Sequence, residues 1–217
     1  MIQNVKTIIF DYDGTIHDSL KIYQKSFIEA YTFLYNNGKV PKRVWTKDEI
    51  KLFLGKNPKE MWADFEPKLD QETINQASQI ISKSMSDQIM NHEAILYEGA
   101  LDVLAYLKNK KYQLIYLSNS KRYYMDVNRK VFNLDNYFDL MICSEDYNYL
   151  TKSEIVKRIK NSLKQEVAIV GDRFHDMDAG TENNLVTIAC DYGYGAPFEL
   201  KDAFLHIKDI NELKSIF

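Results

Sequence analysis

"KTIIFDYDGTIHDS", residues 6–19, sets a short apolar run against two aspartates two residues apart, with glycine following. An apolar run of this length, ended by polar residues, reads as a strand buried on both faces. Alternate residues of an extended chain share a side, so Asp11 and Asp13 leave the strand on the same side. Gly14 allows the tight turn after them. Two carboxylates this close repel each other unless a cation or a shared proton lies between them. The pattern admits three arrangements: a turn capped by aspartate, a divalent-metal site, or a nucleophile beside an acid/base partner.

Runs of the same character recur at 113–120, 139–144, 166–172 and 186–191. Between the later ones lie helical faces, Leu101, Leu104, Ala105 and Leu107 on one and Ile155, Val156, Ile159 and Leu163 on another. Strand alternating with helix predicts a doubly wound parallel α/β sheet, with any site at the carboxyl ends of the strands. Residues 18–92 break this rhythm and contain no convincing strand. A first helix is expected over 18–37 with Gly38 as its stop. Thr46 and Glu49 have capping-box spacing, Pro58 suits a first helical turn, and 70–90 forms a long last helix. The expected organisation is therefore a core of residues 1–17 and 94–217 and a helical cap of residues 18–93.

At 217 residues, 45% hydrophobic and 13% aromatic, the chain has ample material for a packed core. A formal charge of −3 gives no basic field for a nucleic-acid backbone, and no apolar stretch is long enough to predict a membrane span, so neither partner is expected. The start has no charged segment leading into a long apolar one, and a cytoplasmic location is expected. Cys143 and Cys190 each end an apolar run and read as free core thiols.

The other strand ends change the reading of Asp11 and Asp13. "VAIVGDRFHDMDAG", residues 167–180, again follows a strand with acid, placing Asp172 and Asp176 four apart. Magnesium takes oxygen ligands, and Asp11, Asp172 and Asp176 can supply them. "LIYLSNS" (114–120) ends in Ser118 and Asn119, whose hydroxyl and N–H groups suit phosphate oxygens, and Gly14 and Thr15 of the first turn join them as phosphate-binding candidates. Lys152, in "NYLTKSEIV" (148–156), puts a positive charge just before a helix.

With these residues in this order, the chain resembles the haloacid dehalogenase superfamily, specifically its phosphatases with a helical cap after the first motif, similar to phosphoglycolate phosphatases. The motifs are "DYDGT" (11–15) followed by "DS" (18–19), then Ser118, Lys152 and "GDRFHD" (171–176). "YEGALDVLAYL" (97–107) and "DYGYG" (191–195) are weaker points of likeness. The resemblance implies a Rossmann-like core and a magnesium-dependent phosphatase acting on a small phosphorylated metabolite. Asp11 would then form an aspartyl-phosphate while Asp13 handles protons. Mg²⁺ would be bound by the Asp11 carboxylate, the Asp13 carbonyl and Asp172, with Asp176 a direct or water-mediated ligand. Ser118 would hold a phosphoryl oxygen, and Lys152 would offset charge. In the cap, Lys56 of "LGKNP" (54–58) is the candidate contact to the leaving group. A lid of this kind is expected to make generic aryl phosphates slow substrates.

The chain departs from the family pattern at Ser153, where many relatives have proline, at Ser118 in place of threonine, and at Glu98 in place of proline. A sugar phosphomutase using the same intermediate and a non-enzymatic phospho-aspartate signalling module are the alternatives. His175 reads as a solvent-facing loop residue, His17 as a hinge neighbour, Arg173 as half of a structural ion pair, and Tyr123 and Tyr124 as packing.

Overall fold

Six strands form a single sheet in a computed structural model that describes residue 2 and residues 4–217. They are β1 (Thr7–Phe10), β2 (Gln113–Ser118), β3 (Leu140–Cys143), β4 (Val167–Gly171), β5 (Val186–Cys190) and β6 (Leu205–Ile207), in the order β3-β2-β1-β4-β5-β6. Every pairing is parallel, so all the carboxyl ends lie along one edge. The chain winds outward from β1 in both directions, and the crevice for a ligand lies where the winding reverses. β6 escaped the sequence reading because its three residues are too few to show a period.

The helices are α1 (Leu20–Asn36), α2 (Lys47–Lys51), α3 (Pro58–Asp64), α4 (Gln71–Met90), α5 (Ala100–Asn109), α6 (Arg122–Val131), α7 (Lys152–Ile159), α8 (Phe174–Glu182), α9 (Pro197–Leu200) and α10 (Leu213–Ile216). The continuous apolar strands present alternate residues to opposite layers. Ile8 and Phe10 pack with Val103, Leu104 and Leu107 of α5, while Ile9 packs with Ile155 and Val156 of α7 and Ala179 of α8.

Helices α1 to α4 follow one another between β1 and α5 and share an apolar cluster that Tyr194 and the α6 residues Tyr124 and Val127 join. Local chemistry explains their ends. Thr46 with Glu49 and Asn57 with Glu60 form capping boxes, Pro58 occupies the first turn of α3, and Asp70 caps α4 by accepting from Thr73 N. Phe27 of α1 is the centre of the cluster, 4.9 Å from the Trp45 ring and 5.4 Å from the Phe53 ring. Buried Gln88 of α4 donates to Ile22 O at 3.0 Å and Ser26 Oγ at 3.0 Å, tying α4 to α1.

The chain passes between the sheet and these helices twice, and the two passages lie side by side. Asp18 N donates to Ile95 O at 3.0 Å and Tyr97 N to Ile16 O at 2.9 Å, with His17 and Leu96 bridged antiparallel.

Phe27 is 2% exposed, so Phe27→Ala leaves a cavity among rings that cannot close over it. It should lower the unfolding free energy by about 3–5 kcal/mol. Urea titration followed through Trp45 and Trp62, both in this cluster, measures the loss.

Candidate active site

The carboxyl ends of β1, β2 and β4 and the starts of α7 and α8 bring their groups to the same place along the common edge. Asp11 continues the β1 ladder by one residue, its N–H donating to Val170 O at 2.9 Å. Its Oδ1 accepts from Tyr12 N at 2.7 Å and lies 2.7 Å from Lys152 Nζ. Lys152 opens α7, whose start is set by the Thr151–Glu154 capping box. The same ammonium lies 2.7 Å from Asp176 Oδ1, and Asp176 Oδ2 accepts from Arg173 N at 3.1 Å to cap α8. Asp172 follows β4 directly, and its Oδ2 accepts from Tyr194 N at 2.6 Å.

Two glycines make this crowding feasible. A Cβ on Gly14, which has φ of +83°, would lie 2.2 Å from Asp172 Oδ2. One on Gly171 would lie 2.1 Å from Asp176 Cγ.

Asp11, Asp172 and Asp176 are buried and offer carboxylate oxygens that all lie within 4.8 Å of one another. One buried ammonium faces three carboxylates, so negative charge is in excess. Burial raises the pKa of Asp11 well above the ordinary range, and Asp176 adds to this while Lys152 opposes it. Burial, reinforced by Asp176, pushes Asp172 up to about 7. Burial works against the Lys152 charge, but Asp11 and Asp176 overcome it and raise the pKa above the ordinary value. An all-oxygen donor set with surplus negative charge fits a hard divalent cation.

Asp13 stands on the far side of Asp11 from this cluster, with its side chain 16% exposed. Its Oδ1 accepts from the Tyr124 hydroxyl at 2.6 Å and lies 3.3 Å from His17 Nδ1. His17 Nδ1 is also 2.9 Å from the Tyr124 oxygen. Burial and the Asp13 charge both raise the Tyr124 pKa, so the phenol keeps its proton and donates. Sequence reasoning set both residues aside. His17, as the residue of the passage nearest Asp13, had a signal in its i, i+4 spacing from that aspartate, whereas Tyr124 had none.

A cavity of about 150 Å³ lies between the sheet edge and the helices above, and Asp11, Asp13, Ser118, Asn119 and Lys56 all line it. Thr15 does not, because it is fully buried and its hydroxyl lies 3.4 Å from Asp172 Oδ1. Gly14 likewise sits beneath Asp172. The Asn119 amide donates to Gly55 O at 3.0 Å, and Lys56 Nζ pairs with Asp64 Oδ2 at 2.5 Å. His175 is 8% exposed and 3.2 Å from Glu60 Oε2 across the gap, which corrects its reading as a solvent-facing residue. Arg173 does form an ion pair, with Glu199 at 2.9 Å, and also donates from Nη1 to Leu54 O.

A family model described as haloacid dehalogenase-like hydrolase matches residues 8–190. Among curated proteins, the chain is 24% identical over 205 residues to the pyrophosphatase PpaX of Listeria welshimeri, covering 92% of this chain and 89% of that protein. Among solved structures, it resembles a predicted phosphatase from Clostridium acetobutylicum with a TM-score of 0.82 and 24% identity, covering 98% of this chain and 97% of the other. A predicted phosphoglycolate phosphatase from Haemophilus somnus also aligns with a TM-score of 0.82, at 18% identity, with the same 98% and 97% covered. None of the described helices is long and apolar enough to cross a membrane.

The carboxylate cluster has a consequence for stability. The native Asp172 carboxyl has its pKa raised from 3.8 to about 7, so the folded chain holds a proton that the unfolded chain releases. Stability in chelator therefore falls as pH rises from about 4 to about 7. At pH 8 in chelator, Asp172→Asn should raise the melting temperature, by about 2–4 °C for each ~1 kcal/mol of repulsion removed. Adding Mg²⁺ should raise the wild-type melting temperature and leave that of the variant nearly unchanged. Differential scanning calorimetry reads both.

Proposed function

The chain belongs to the haloacid dehalogenase-like hydrolases, and on that footing we propose that it is a magnesium-dependent cytoplasmic phosphatase of a small phosphorylated metabolite, working through an aspartyl-phosphate. The observation that carries this reading is the Asp11 carboxylate, fixed by Tyr12 N and Lys152 at the floor of a cavity that Asp13 also lines. The likeness to a pyrophosphatase and to a predicted phosphoglycolate phosphatase supports phosphoryl chemistry. The core is residues 1–17 and 94–217, and residues 18–93 are its cap.

An Asp11 carboxylate oxygen attacks phosphorus in line with the departing ester oxygen, forming the acyl-phosphate bond as the P–O bond breaks. Asp13 gives its proton to the departing oxygen. It then takes a proton from the water that attacks the aspartyl-phosphate, which releases inorganic phosphate and restores the Asp11 carboxylate. Lys152 balances charge on Asp11 throughout, and Ser118 with the adjacent N–H groups receives the phosphoryl oxygens. Asp11, Asp172 and the Asp13 carbonyl would hold Mg²⁺, with Asp176 bound directly or through water, and the ion would supply the positive charge that lets an anionic nucleophile approach an anionic ester. Tyr124 and His17 hold the Asp13 carboxyl in place through the contacts on its Oδ1.

Phosphate release from a panel of phosphomonoesters tests the activity, with release expected in Mg²⁺ and lost in chelator. Asp11→Asn should be inactive. Retention of a tenth of the wild-type kcat, a barrier change of only about 1.4 kcal/mol, would exclude Asp11 as the covalent nucleophile.

Tyr124→Phe removes one hydrogen bond to a charged group, a loss of about 1.5–3 kcal/mol. It should lower kcat by roughly tenfold or more with little change in KM, since Asp13 acts on the departing oxygen and not in ground-state binding. Steady-state kinetics on any turned-over ester separates the two constants.

A further inference from the structure

The roof of the cavity differs from its floor. Phe53, Met61, Trp62, Ile81 and Met85 line the upper part, all from the helical segment that covers the site. Met61, Trp62, Ile81 and Met85 are each no more than 9% exposed. The only charged residue among the described cap residues on this lining is Lys56, and Asp64 already neutralises it at 2.5 Å. Lys121, the other lysine of the lining, belongs to the floor beside Ser118 and Asn119. Trp62 Nε1 is satisfied by Ser78 Oγ at 2.7 Å, whereas the buried Ser86 Oγ has no partner. An anionic leaving group placed against this roof would lose hydration and could recover a cation there only by drawing Lys56 away from Asp64.

Size narrows the choice. A 150 Å³ space must hold the phosphoryl group at the floor as well as the leaving group. Apolar cavities of about this volume take up benzene by itself, so with the phosphoryl group also inside, one six-membered ring is the upper limit for the group under the roof.

Resting on the phosphatase reading, we propose that the substrate is the phosphate monoester of a neutral, largely apolar alcohol no larger than about one ring, its few polar groups facing the hydroxyl-bearing Tyr23 and Ser82 of the lining. Phosphoglycolate and pyrophosphate, each with a second anion, are then poor ligands.

The test separates binding from turnover. Quenching of Trp62 fluorescence in the Mg²⁺-loaded wild-type protein is titrated with benzylphosphonate, a non-hydrolysable stand-in for the ester, and with phosphonoacetate, its anionic counterpart. Benzylphosphonate should bind at least about tenfold more tightly, and equal or weaker binding overturns the inference. In parallel, phosphate release is measured from benzyl phosphate, glycerol 1-phosphate, phosphoglycolate and pyrophosphate. The highest kcat/KM is expected for benzyl phosphate, with Met85→Ala lowering it through KM. Faster turnover of phosphoglycolate or pyrophosphate overturns the inference and leaves the phosphatase reading intact. Tight benzylphosphonate binding with no phosphate released from any ester supports the ligand class and overturns the phosphatase reading.

Discussion

The ammonium of Lys152 lies 2.7 Å from Asp11 and 2.7 Å from Asp176, with 2% of its side chain exposed. Removing this one cation would leave three buried carboxylates facing one another, an arrangement far costlier than any surface ion pair. The lysine binds three separate parts of the chain into one geometry, since Asp11 follows β1, Asp176 starts α8 and Lys152 itself starts α7. Backbone precision at those element ends follows from it. The capping box of α7 fixes where the lysine side chain begins, and the cap that Asp176 gives α8 fixes where its partner stands.

Stability and chemistry pull against each other at this point. Burial raises the proton affinity of Asp11 and Asp172, so a carboxylate there is held at a cost to the fold. The same burial makes a positive charge placed among them effective, because the surroundings screen it weakly. The close approach of Gly14 to Asp172 and of Gly171 to Asp176 shows how far the packing has been given over to bringing these oxygens together.

Much of this architecture was legible in the sequence because it rests on local rules. The apolar runs ending at polar residues located β1, β2, β3, β4 and β5, and the Thr46–Glu49 spacing, the helix-opening Pro58 and the long run 70–90 located the helices between β1 and α5. Asp11, Asp172, Asp176 and Lys152 converge because parallel strands put all their carboxyl ends on one edge. What stayed hidden depends on contacts between distant segments. Tyr124 reaches Asp13 across 111 positions of chain, and His175 reaches Glu60 across 115. Thr15 turns to Asp172, 157 positions away, and not to the cavity. The apolar character of the roof was equally invisible, since periodicity shows that a helix has an inner face without showing whether that face meets a core or a cavity.

The segment Leu54–Gly55 is hydrogen-bonded to the core through its backbone oxygens, Gly55 O accepting from Asn119 and Leu54 O from Arg173. Each donor is next in sequence to a residue of the site, Asn119 to Ser118 and Arg173 to Asp172. The covering helices are therefore fastened at the strand ends that hold the carboxylate cluster and Ser118, and release of the fastening frees two polar side chains beside them. Carbonyl oxygens are present whatever the side chains, so this clasp tolerates drift in the sequence of the loop while its geometry is kept. Opening of the cavity on this side thus requires both hydrogen bonds to break, together with the His175–Glu60 contact beside them.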